Sequence, residues 1–168
     1  MNIFGGSSVF KNENNSHNDT TASAAATINK NGNIWTVTAS SCADMADAWR
    51  QALNASSAST AITFKLNSDW NAVDGLFSAT DLQTSDGVNA VSAVGIKIPS
   101  NRNITLDLNG HKVNRELTYA TRKSGNIFLN YGTFTITDTS SAKNGQITGS
   151  ASTSAGAAIY NVGTLNFQ

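Results

Sequence analysis

Apolar and polar residues alternate in four short stretches in the later part of the chain. They are AITFKL (Ile62, Phe64, Leu66), NITLDL (Ile104, Leu106, Leu108), TFTIT (Phe134, Ile136) and TLNF (Leu165, Phe167). A period of two puts one set of side chains on one face, so each stretch predicts a strand with one buried side. Ile62 to Ile104 is a step of 42 residues, Ile104 to Phe134 one of 30, and Phe134 to Leu165 one of 31. A short apolar run precedes each of the last three: GIKI (Ile96, Ile98), NIFLN (Ile127, Leu129) and AAIYN (Ile159). Shorter pieces, HKVN with Val113 and GQITG with Ile147, lie between the main strands. Two or three short strands recurring about every 30 residues predict a chain that winds, each turn completing the core of its neighbour.

The pattern changes ahead of residue 62. Residues 1–25 are polar, low in complexity and without period, and read as a flexible tail. Asn31-Gly32 between two β-favouring runs predicts a hairpin. Ser41, with Asp44 three residues on, reads as a helix N-cap of capping-box type, Asp replacing the longer Glu. Met45, Ala48, Trp49, Ala52 and Leu53 then fall on one helical face, which predicts an amphipathic helix from about Cys42 to Asn54.

One phrase is written twice, Asn130-Tyr131-Gly132 and Asn161-Val162-Gly163, each just ahead of a strand. Stacked copies would let the amides of Asn130 and Asn161 form a ladder at a tight bend, with Gly where a Cβ would clash. The run NITLDLNGHKV, with GTFTITDTSSAKNGQITGS and AAIYNVGTLNF, resembles the right-handed parallel β-helix of the pectin lyase-like superfamily. It is closest in flavour to large repetitive surface proteins and adhesins of bacteria, over about residues 60–168. The resemblance implies an all-β solenoid with an N-terminal amphipathic capping helix. On that reading residues 26–168 are one domain, with hairpin and helix in 26–56 and coils in 57–168. The last coil has no cap, so the expectation is that further coils follow Gln168 or that its open edge meets another chain.

Composition narrows the partners. Charged residues are 13% of the chain, 11 basic against 11 acidic, with no basic cluster of the kind nucleic acid requires. No apolar run is long enough to cross a bilayer as a helix, so membrane insertion is not expected. The single Cys42 cannot form an internal disulfide and reads as a small buried apolar residue.

Candidate chemistry is sparse. Related β-helix lyases and hydrolases carry neighbouring carboxylates, because one acid and one base must flank the bond. The repeats contain no Asp-x-Asp or Asp-Asp pair, and Asp107 and Asp138 sit at strand ends, where turn roles are expected. Asp69, Asp74, Asp81 and Asp86 make an acidic insertion without EF-hand spacing; His17 and His111 have no companion at metal spacing. No catalytic residue, metal or cofactor is therefore expected.

Candidate binding residues are Trp70 and Phe77, as a sugar-stacking pair or an apolar insertion packed on the coil, and Lys112, Arg115, Tyr119 and Arg122, as a basic stretch. The expected partner is a glycan or cell-surface polymer, with self-association through the C-terminal edge as a further possibility. The reading is an extracellular bacterial surface protein acting as adhesin or scaffold. Its alternatives are a polysaccharide lyase or glycoside hydrolase with its catalytic coils elsewhere, and a self-assembling fibre subunit.

Overall fold

The computed structural model describes residues 25–73, 91–92, 95–117, 126–150 and 157–168. The expected tail therefore lies outside the described residues, as do Phe77, Tyr119, Arg122, Asp74, Asp81, Asp86 and His17.

Strands β1 (Thr27–Asn31) and β2 (Ile34–Thr38) form the predicted hairpin, Asn31 pairing with Ile34. The linking pair is Gly32-Asn33 rather than Asn31-Gly32, and Gly32 takes φ +57°, the conformation that glycine adopts without strain. Helix α1 (Cys42–Ala55) follows. Its N-cap Ser41 accepts from the Asp44 N–H at 3.1 Å, and the Ser41 hydroxyl donates to Asp44 Oδ2 at 2.6 Å. The shorter Asp thus closes the box through the cap's hydroxyl. At the other end Ser56 returns its N–H to the carbonyls of Ala52 and Leu53.

The remaining strands are β3 (Ala61–Leu66), β4 (Val91–Ser92), β5 (Gly95–Ile98), β6 (Asn103–Asp107), β7 (Lys112–Asn114), β8 (Phe128–Asn130), β9 (Thr133–Thr137), β10 (Gln146–Thr148), β11 (Ile159–Asn161) and β12 (Thr164–Phe167). They form a six-stranded sheet in the order β1-β2-β3-β6-β9-β12, a four-stranded sheet β11-β8-β5-β4 and a pair β10-β7. Pairing is parallel except for β1 with β2 and β4 with β5. Register is strict: Ile62, Ile104, Phe134 and Leu165 pair in sequence, as do Trp35, Phe64, Leu106, Ile136 and Phe167.

The all-β expectation, a right-handed parallel β-helix with a helix as its cap, is corrected here: the molecule is mixed α/β. One 14-residue helix accompanies mostly parallel sheets, and the largest sheet is itself mixed in direction. The reason lies in the helix's buried face. Met45, Ala46, Ala48, Trp49, Ala52 and Leu53 are all buried, and the alanines keep the helix close to the strands. The Trp49 indole then reaches Phe64, Trp70, Phe128 and Phe134 with ring centroids 5.2, 5.9, 6.0 and 6.4 Å away. Edge-to-face and tilted pairs of this kind add to the area they bury. A helix that supplies the centre of the core is a layer of the fold.

Candidate functional site

Three of the described carboxylates, Asp69, Asp107 and Asp138, are already engaged. Asp107, buried, accepts from the N–H groups of Asn109 at 3.0 Å and Thr139 at 2.9 Å and from the Thr139 hydroxyl at 2.6 Å, with Lys65 Nζ 3.5 Å away. Asp138 accepts from the N–H groups of Gly110, Ser140 and Gly145 at 3.0, 2.9 and 2.7 Å. Burial pushes its carboxyl up, but the Ser140 hydroxyl and these three N–H donors outweigh that and hold it at about 2. Asp69 receives the Lys112 N–H at 3.1 Å and lies 3.3 Å from His111 Nδ1 and 3.7 Å from Lys112 Nζ. Each carboxylate fixes a turn, and among the described residues no group of three His, Cys, Asp or Glu could hold a metal.

Of the residues singled out for binding, the three described, Trp70, Lys112 and Arg115, do not form one exposed surface. Trp70 is fully buried under Trp49 and Phe64, its Nε1–H donating to Cys42 Sγ at 3.2 Å, so the ring offers no face to a sugar. Burial chiefly, opposed by that Trp70 hydrogen bond and reinforced by the Glu116 charge, pushes the Cys42 thiol up to about 11, so it stays protonated at neutral pH. Arg115 is also buried and donates to the Asn126 carbonyl at 2.7 Å. Lys112 is half-buried beside Asp69.

Asn130 and Asn161 lie in register on β8 and β11. Asn130 Nδ2 donates to Asn161 Oδ1 at 2.6 Å and to the Thr164 carbonyl at 2.8 Å, while its Oδ1 accepts the Gly132 N–H at 3.1 Å. One fully buried amide thus ties two strands and folds its own bend. Asn161 Nδ2 donates to the Gly163 carbonyl at 3.1 Å.

That bend holds the surface the sequence reading overlooked. Pro99 to Arg102 is a tight turn between β5 and β6, closed by the Arg102 N–H on the Pro99 carbonyl at 3.0 Å. The bend at Tyr131-Gly132 settles on it, the Tyr131 N–H donating to Ile98 and the Thr133 N–H to Arg102, each at 2.9 Å. A Cβ at Gly132 would collide with the carbonyl oxygens of Pro99 and Arg102, so only glycine permits this approach. The result is a surface cleft of about 410 Å³ lined by Lys97, Pro99, Ser100, Asn101 and Tyr131. Tyr131 is 39% exposed, Lys97 Nζ lies 5.6 Å from its ring centroid, and Tyr160 extends the ridge at 6.5 Å, itself 50% exposed.

The signal was present in the outward positions. Lys97 is the polar member of GIKI, Tyr160 the outward residue of AAIYN, and Tyr131 the variable residue between Asn and Gly. An aromatic at such sites is a surface feature, whereas Trp70 lies where the chain packs inward.

No family model, curated protein or solved structure matches this chain. Its resemblance to β-helical surface proteins rests on the quoted motifs alone.

Proposed function

We propose that this chain belongs to an extracellular surface protein and serves as an adhesive scaffold. The observation that carries the reading is that polar side chains at the bends tie one repeat to the next. Asn130 joins β8 to Asn161 and Thr164, Asp107 holds Thr139, and Asp138 holds Gly110. Asn109 Nδ2 reaches the Leu66 carbonyl at 2.9 Å, and Asn166 Nδ2 the Thr135 hydroxyl at 3.3 Å. Asp107 and Asp138 are thereby committed to holding turns of neighbouring repeats.

Mostly parallel sheets tied in this way keep their outer bends available for contact. Low charge and abundant Ser, Thr and Asn suit a surface that meets neutral and anionic polymers without electrostatic trapping. Among the described residues no helix is long and apolar enough to cross a membrane.

The test is antibody labelling of intact source cells, with attachment to a glycan-coated surface followed in parallel. Labelling of unbroken cells and antibody-blocked attachment are expected. Labelling only after lysis would overturn the reading.

A further inference from the structure

We propose that the cleft between the Pro99–Arg102 turn and the Tyr131 bend binds an anionic saccharide, with Tyr131 as the stacking face and Lys97 as the charge partner. This rests on the adhesive-scaffold reading and names the ligand class and the residues that contact it.

Three observations converge. The first is the exposed aromatic surface. Tyr131, in the bend after β8, and Tyr160, on β11, have centroids 6.5 Å apart and planes at 57°, a shallow corner facing solvent. A saccharide has apolar C–H faces and a rim of hydroxyls, and a tyrosine ring with its polar tip matches that division. The second is the polar rim. Ser100 and Asn101 are exposed at the tip of the turn, supplying hydroxyl and amide groups beside the ring. A volume of about 410 Å³ falls inside the roughly 300–1,000 Å³ range of small-ligand clefts.

The third is charge. Among the described residues no carboxylate pairs with Lys97, whereas Lys65 faces Asp107, Lys112 faces Asp69 and Arg50 faces Asp47. Lys97 is held near the Tyr131 ring by a cation–π contact of 5.6 Å. An ammonium with no carboxylate partner among the described residues, set beside a stacking face, selects a sugar that carries sulfate or carboxylate. An acidic peptide would satisfy Lys97 but would use the hydroxyl-matching rim and ring face less fully, so the saccharide is favoured.

The bend is also pre-organised. Tyr131 is fixed between Asn130, whose amide is hydrogen-bonded on both sides, and Gly132, which nests on the carbonyls of Pro99 and Arg102. A backbone held this way loses little freedom on binding.

The experiment is a titration of the isotope-labelled full chain by NMR with four probes: a sulfated oligosaccharide, a uronate oligosaccharide, a neutral dextran oligosaccharide and an oligoglutamate peptide. Binding of at least one anionic saccharide is expected, with shifts centred on Lys97, Asn101 and Gly132 and weaker or no binding of dextran. The sulfated and uronate arms distinguish the source of the anion. Tyr131→Ala should weaken binding at least tenfold, and Lys97→Gln about threefold to tenfold with loss of salt dependence, while Lys97→Arg retains most of it. Both positions are solvent-accessible, and unchanged backbone spectra away from the cleft establish that the variants fold. Binding of oligoglutamate alone, no binding of either anionic saccharide, or anionic binding untouched by Tyr131→Ala would each overturn the proposal. Surface labelling of cells is independent of these titrations, so failure here leaves the scaffold reading standing, and failure there does not move the titration.

Discussion

Trp35, Phe64, Leu106, Ile136 and Phe167 form one in-register column, yet Phe64 and Phe167 within it live in different surroundings. Beside α1, Phe64 is fully buried against Trp49 and Trp70; on β12, Phe167 is 71% exposed. The same alternating pattern therefore carries different energetics according to what covers it. Near the helix, stability comes from apolar burial. Around β11 and β12 it comes more from polar side chains, above all Asn130 at the end of β8, that lace the bends together.

The most forceful way to break this comparison is to truncate both phenylalanines of the column. Phe64→Ala should cost about 4 kcal/mol, because it removes a ring from a closed aromatic cluster and leaves a cavity. Phe167→Ala should change stability by less than about 0.5 kcal/mol, as surface substitutions do. Urea unfolding of both variants measures the difference, and equal losses would abolish the distinction.

Gly132→Ala should follow, at about 3 kcal/mol, since the new methyl group meets two backbone carbonyls that cannot easily yield. Thermal melts read this directly. Asn130→Ala should cost about 2 kcal/mol by leaving the buried Gly132 N–H without its acceptor, while Asn161→Ala, on an exposed residue, should cost about 0.5 kcal/mol. A reversed order would show that the ladder is anchored from the outer strand.

Acid gives the smallest and most local effect. Asp138 is held at about 2, below the ordinary carboxylate value of 3.8, so the unfolded chain takes up the proton first as pH falls. Its contribution is complete above about pH 4 and disappears between about 3.8 and 2. Asp138→Asn should lower stability at pH 7 and flatten that part of the acid limb; urea midpoints across pH 2–7 test it.

Much of the local structure was legible in the residues. The period of two located β3, β6, β9 and β12, and the 3.6-residue stripe located α1 to within a residue of its end. The overall class was not legible. Periodicity says that Trp49 faces inward but carries no information on how deep it goes, and its contact with four rings from different strands makes the helix part of the core. The candidate site was missed for a related reason. Trp70 and Arg115 stood out by residue type, yet both are buried by long-range contacts, whereas Tyr131 gains its importance from a turn 30 residues earlier in the chain.

Amide hydrogen exchange on the whole chain tests the central claim most directly, namely that a helix-backed apolar core supports a hydrogen-bond-laced outer surface. The account predicts that amides of α1, β3 and β6 exchange only through global unfolding and that those of β11 and β12 exchange through local opening. It also predicts that Asn130→Ala accelerates exchange at Gly132 and Thr164 while leaving β3 unchanged. Uniform protection from β3 to β12, with or without Asn130, would contradict it.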